Sequence, residues 1–169
     1  MEIVNKVKNS GLITLDLEDL VPAPETLTGL DIKDQLWQGM VLKEKDFREF
    51  ITANDWQVYQ DKIVHVYCSE DAIVPPWAFM LLASSLSGIA KNVVFGNQKE
   101  AIETVVYEAI AAMDISNYQD NRVVIKGCAK ISNIEKIFTA LTFKLRPVVK
   151  SLMYGEPCST VPIYKAPKK

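Results

Sequence analysis

The sequence predicts an α/β fold, a three-layer sandwich with a mainly parallel sheet, and three observations carry that expectation. From residue 62 onward, short β-branched runs alternate with helical patterns. Two helices open on capping-box spacings, and a third opens on a pair of prolines. The resulting order, strand and helix three times over, is the pattern of right-handed crossovers that lay helices on the faces of a parallel sheet.

The first sixty residues are the least regular. LITLDL (12–17) alternates as a half-buried strand does, and VPAPETLTG (21–29) reads as a turn-rich connector. DIKDQLWQGMVL (31–42) fits a strand or a short helix equally well. EKDFREFITAN (44–54) reads as a helix with Phe47, Phe50 and Ile51 inward and Lys45, Asp46 and Arg48 outward. KIVHVYC (62–68) is the first clear strand. PPWAFMLLASSL (75–86) follows as a helix whose prolines sit in the first turn, where the donors they lack would be unpaired anyway. That helix is apolar nearly all round, so burial is expected. KNVVFG (91–96) is the next strand, and Asn97 with Glu100 caps a helix running to about Met113. RVVIKGC (122–128) is the third, and Ser132 with Glu135 marks the start of a helix with Ile134, Ile137, Phe138, Leu141 and Leu145 as its inner stripe. Pro147 breaks it, and PVVKSLM offers a second helical piece. CSTVPIY reads as an edge strand, because Pro162 cannot donate inside a central ladder. Antiparallel or edge strands therefore belong to the N-terminal segment and the C-terminal tail.

At 169 residues the chain is expected to form one α/β domain, with 1–60 as its less regular portion and 61–169 as the core and tail. The 49% apolar and 24% charged content is globular usage, which excludes a disordered chain. A net charge of −2 leaves no basic field for nucleic acid; the single cationic cluster is Lys165, Lys168 and Lys169. MEIVNKVKNSGLITL lacks the apolar core of a signal peptide, and Ala78 to Leu86 is too short to span a bilayer, so a cytoplasmic protein is expected. The glycines never form a dinucleotide or phosphate loop, there is no GxSxG elbow, and the three tryptophans lack the basic groove of a stacking platform. No reaction is fixed by the sequence, and a homo-oligomer is compatible with it.

The three cysteines are the chemistry-bearing residues. Their odd number and wide spacing point to a reducing compartment rather than a disulfide framework. No period of 20 to 50 residues recurs, yet VHVYC and VVIKGC echo one another, each followed by a helix. Functional groups of open parallel sheets collect at the carboxyl ends of strands, where Cys68 and Cys128 fall. Were the two strands neighbours, the sulfurs would lie about 5 Å apart, within reach of a disulfide or a shared metal. Lys126, two residues before Cys128, shares its side of the strand and would favour thiolate. Cys158 joins them only if the chain after Pro147 returns to that rim. The plainer reading makes each thiol a small apolar filler. His65 diverges from Cys68 by strand parity and reads as structural or surface, so a carboxylate such as Asp71 or Glu156, or a water, is the candidate fourth ligand.

The segments LKEKDFREF, DAIVPPWAFMLLA, VVIKGC and LRPVVKSLMYGEPCSTVPIYK, above all YGEPCSTVPIYK, resemble a bacterial family of uncharacterised proteins, domain of unknown function twenty-four-eighty. The resemblance covers nearly the whole chain. It implies an association with sulfur mobilisation and iron–sulfur cluster assembly, with Cys68, Cys128 and Cys158 as the residues involved and His65 outside them. The implied function is an accessory protein that transiently holds iron, zinc or an iron–sulfur cluster through three thiolates, with assembly proteins as partners. Two alternatives stay open: metal-free thiol or sulfur-carrier chemistry at Cys128 and Cys68, and a non-enzymatic interaction module with structural cysteines.

Overall fold

The computed structural model describes residues 11–167. The signal-peptide reading of the first ten residues, and Lys168 and Lys169 of the cationic cluster, lie outside the described residues. The strands are β1 (Leu12–Asp16), β2 (Leu27–Asp31), β3 (Leu36–Trp37), β4 (Val41–Leu42), β5 (Ile63–Tyr67), β6 (Asn92–Phe95), β7 (Arg122–Lys126), β8 (Ser151–Glu156) and β9 (Ser159–Lys165). The helices are α1 (Glu44–Ala53), α2 (Pro76–Leu86), α3 (Gln98–Ala112) and α4 (Ile134–Leu145). The fold is α/β with mainly parallel pairing, and the C-terminal strands are antiparallel, as the sequence predicts.

The strands nevertheless form two principal sheets rather than one, of order β1-β7-β8-β9 and β2-β5-β6, besides the β3-β4 hairpin. They belong to two compact units, Pro22–Thr104 and Met1–Val21 with Val105–Lys169. In each sheet a strand from the N-terminal segment closes one side of a central strand, and the strand after the next helix closes the other. For this reason β5 and β7 never become neighbours.

In the unit Pro22–Thr104, β2 lies where the sequence suggests a connector. LTGLD pairs residue for residue with β5, from Leu27 opposite Ile63 to Asp31 opposite Tyr67. Pairing with a strand buried on both faces overrides the weak strand composition. The ambiguous 31–42 stretch resolves into a tight turn at Lys33–Gln35 and the β3-β4 hairpin, with Gln38 and Gly39 both at positive φ. Phe47 of α1 is fully buried among Leu30, Ile32, Val64, Val66 and Leu82. A buried side chain of that size contributes about 1.5–3 kcal/mol. Helix α2 departs from expectation: Ala78, Leu82 and Leu86 are buried, but Met80 is 70% exposed. These three residues form a single stripe, so this apolar helix buries one face only.

In the other unit, Val123, Val124 and Ile125 of β7 are all buried, as befits a central parallel strand. Ile137, Leu141 and Leu145 form the fully buried stripe of α4. Its cap is Asn133 rather than Ser132, with Asn133 Oδ1 accepting from the Lys136 amide at 3.4 Å. The Asn97–Glu100 capping box forms as the spacing predicts: Glu100 Oε2 accepts from the Asn97 amide at 2.7 Å, and Asn97 Oδ1 from the Glu100 amide at 3.2 Å. After Pro147 the chain makes β8 instead of a second helical piece, because the Lys150 amide donates to Asn121 O at 2.8 Å and starts the ladder beside β7. Strand β9 is the antiparallel edge, and its Pro162 stands opposite Met153 at a shift of register. No described helix is long and apolar enough to cross a membrane.

Candidate functional site

The parallel register of β1 with β7, Asp16 opposite Lys126, brings their carboxyl ends to one rim, and β8 joins them from the other side. Functional sites of parallel sheets form at such rims. Asp16 closes β1 by accepting from the Glu18 amide at 3.0 Å, which turns the chain and leaves its second oxygen 2.9 Å from Lys126 Nζ. Glu156 Oε1 lies 3.5 Å from the same ammonium. Two residues beyond Lys126, the buried Cys128 thiol donates to Glu18 Oε2 at 2.7 Å. The other oxygen of Glu18 accepts from Lys130 Nζ at 2.5 Å.

The electrostatics follow from these pairs. The hydrogen bond from Lys126, and then that from the Glu18 amide, hold Asp16 below the usual carboxylate range. Donation from Cys128, then from Lys130, lowers Glu18 as well. Burial pushes the Cys128 thiol up, and its bond to the Glu18 carboxylate pushes it further in the same direction; Lys130 opposes this with a smaller effect. The expectation that Lys126 would generate a thiolate is therefore overturned. Its ammonium is engaged by Asp16 and Glu156, and the acceptor facing the sulfur is an anion.

Beside these groups lies a crevice of about 460 Å³. Lys126, Cys128 and Glu156 line its polar side, and Ile131, Phe138 and Tyr154 its apolar side. Phe138 and Tyr154 meet edge to face, with centroids 5.1 Å apart and planes at 73°.

A family model for a protein of unknown function (DUF2480) matches residues 1–166. The chain belongs to the DUF2480 family. No curated protein and no solved structure matches it.

In this DUF2480 chain the three cysteines have different settings. Cys68 follows β5, in the three-stranded sheet, half-buried and packed against the core of that unit. Cys128 follows β7 in the four-stranded sheet, and Cys158 is exposed in the turn between β8 and β9. All three are free thiols. Among the described residues no three of the His, Cys, Asp and Glu side chains are grouped as a metal ion would require. The strands bearing Cys68 and Cys128 are not neighbours, which corrects the premise that set their sulfurs one strand spacing apart.

Of the two candidate oxygen ligands, Glu156 lines the crevice with Cys128, whereas Asp71 is an exposed loop residue of the other unit. His65 is buried in mid-strand, stacked on Tyr67 at 5.3 Å and opposite Gly29. A β-carbon at Gly29 would meet the imidazole at 2.9 Å, so the glycine is there to let the ring pack. Sequence reading missed Asp16, Glu18 and Lys130 of this DUF2480 site. The available signal was parity: Asp16 and Glu18 stand two apart at a strand end, as Lys126 and Cys128 do.

Proposed function

We propose that this DUF2480 protein is a binding module whose strand-end crevice takes an amine with an apolar body, with Cys128 serving as a protonated, hydrogen-bonded thiol. One observation carries the reading: at the rim that holds the Phe138–Tyr154 pair, and among the described residues, the three carboxylates Asp16, Glu18 and Glu156 are paired with two ammonium groups, Lys126 and Lys130. Glu156 is the least engaged of them, held at 3.5 Å and with 61% of its side chain exposed. A cationic head on Glu156 is attracted by that excess of negative charge, and an aromatic face nearby adds about 0.5–2 kcal/mol. The crevice volume falls in the range of about 300–1,000 Å³ usual for small-ligand sites.

The reading of a transient holder of iron, zinc or an iron–sulfur cluster at Cys68, Cys128 and Cys158 draws its support from the family-like tail. Metals take the thiolate, so the raised Cys128 works against it, and against sulfur transfer by Cys128 with Cys68.

The test is an NMR titration of the whole protein with benzylamine and, in parallel, benzoate. Benzylamine is expected to shift the amides of residues 126–128 and 154–156, benzoate to leave them, and Glu156→Gln to weaken the amine severalfold. Equal response to the two probes overturns the proposal. Stoichiometric uptake of zinc or ferrous iron that protects all three thiols from alkylation would establish the holder reading in its place.

A further inference from the structure

We infer that the chain is built from two copies of one half, and that the strand-end crevice became a site in one copy through exchanges at a few matched positions. The match has a constant offset of 59 residues, Ile63 to Arg122 and Asn92 to Ser151. In one half β5 lies between β2 and β6, with Leu27 opposite Ile63 and Ile63 opposite Asn92. In the other, β7 lies between β1 and β8, with Leu12 opposite Arg122 and Arg122 opposite Ser151.

Loop details agree at the same offset. Tyr59-Gln60-Asp61 is repeated as Tyr118-Gln119-Asp120. Asp61 and Asp120 both take positive φ, 59° and 57°, a region that side-chain-bearing residues seldom enter. The Asp61 amide donates to Ile89 O at 3.0 Å, and the Asp120 amide to Val148 O at 2.9 Å. Lys91 donates to Lys62 O, and Lys150 to Asn121 O, each at 2.8 Å. Asp55 accepts from the Gln57 amide at 3.0 Å, as Asp114 does from that of Ser116 at 2.9 Å. Gly96 and Gly155 close the third strands at φ 125° and 117°. The aromatic pair recurs too: Phe79 and Phe95 meet at 4.8 Å and 77°, where Phe138 and Tyr154 meet at 5.1 Å and 73°. Crossover units in general share their handedness, but handedness dictates neither equal spacings nor a left-handed aspartate at one place.

The first strands match as well, at their own offset. Asp16 and Asp31 each end a strand and accept from the amide two residues on, at 3.0 Å. What differs between the halves is the polar lining. Lys126 corresponds to Tyr67, Cys128 to Ser69, Lys130 to Asp71, Glu156 to Asn97 and Glu18 to Lys33. Features common to both halves shape the backbone and the aromatic wall. The exchanged ones, Lys126, Cys128 and Glu156 above all, set what the crevice admits.

The choice of ligand rests on the binding-module reading; the duplication does not. Two measurements on the full chain separate them. Asp61→Val and Asp120→Val each place a β-branched residue at the matched positive φ, and equal losses of melting temperature are expected. A loss in one variant more than twice that in the other overturns the duplication. Cys128→Ser with Glu156→Asn gives the crevice two of the other half's residues; the protein is expected to melt as cooperatively as the parent and to lose benzylamine affinity at least tenfold. Unfolding of that variant overturns the matched positions, and undiminished binding by it overturns their role in selection. If the parent itself ignores benzylamine, the amine reading fails while the melting comparison still judges the duplication.

Discussion

The Cys128 thiol and the Glu18 carboxylate, 110 positions apart in the chain, meet at 2.7 Å and tie the end of β7 to the end of β1. The sulfur is the donor of that pair, so the bond exists only while the thiol keeps its proton.

Stability should therefore fall at alkaline pH. Burial first, and then Glu18, raise the folded thiol above an unfolded value of about 8.5. The folded chain holds the proton more tightly, so this contribution is complete below about pH 8.5 and is lost as pH rises through the folded pKa. Chemical unfolding as a function of pH should show the loss, and Cys128→Ser should flatten it. Alkylation in native buffer should modify Cys158 first and Cys128 last. Early labelling of Cys128 would contradict the assignment.

The acid limb has the opposite sign. Asp16 is lowered first by its bond from Lys126, Glu18 by the Cys128 thiol, and Asp114 by the Ser116 amide. Burial works to raise Asp31, but donation from Ser69 and Lys33 outweighs it. Each contributes stability above its unfolded value, about 3.9 for Asp and 4.3 for Glu, that is lost as pH falls through the lower folded value. Carbon-detected NMR titration should find these four carboxyl groups still ionised where model carboxylic acids are half protonated. Lys126→Met should return Asp16 toward its ordinary range.

Gly155→Ala should cost more than Gly96→Ala. Both positions lie at positive φ, where an alanine is strained by about 1–3 kcal/mol. At Gly155 the new carbon also meets the Ser159 carbonyl oxygen at 2.7 Å, which is backbone within the β8-β9 hairpin. At Gly96 it meets the Glu100 side chain rather than backbone, and the carboxylate can move aside at the expense of its capping-box bond from the Asn97 amide. Denaturant midpoints of the two variants measure the difference, and equal values would count against the hairpin geometry.

On α4 the two faces should separate cleanly. Leu141→Ala removes a fully buried side chain and should cost about 2–5 kcal/mol. Phe143, 86% exposed two residues along, should tolerate alanine within about 0.5 kcal/mol. Equilibrium unfolding in urea would reveal a costly Phe143→Ala, which would mean that this ring is covered in solution.

The helices and central strands were legible because they carry their own signals: a 3.6-residue stripe in α4, prolines at the start of α2, a capping box before α3, and β-branched runs in β5 and β7. Strand β2 was not, since LTGLD has a glycine and no β-branched residue beyond Thr28, and becomes a strand only through its partner. For the site, the sequence marked Lys126, Cys128 and Glu156, but supposed that the lysine would ionise the thiol. The partners that reverse this, Asp16 at the end of β1 and Glu18 in the turn after it, lie more than a hundred residues away, and parallel register with so distant a segment leaves no local mark. The echo of VHVYC in VVIKGC was real but set one residue out of step: aligning the cysteines obscures that Cys128 corresponds to Ser69, and Cys68 to Gly127.

Pro162 has a consequence for how molecules behave in company. It occupies the outermost strand of the four-stranded sheet, between Val161 and Ile163, which are 55% and 52% exposed. A greasy fringe of that kind invites stacking of chain upon chain into fibres. The missing amide and the kink in register opposite Met153 spoil the template, so that flank should stay dispersed at concentrations where a straight, fully hydrogen-bonding border would seed aggregates.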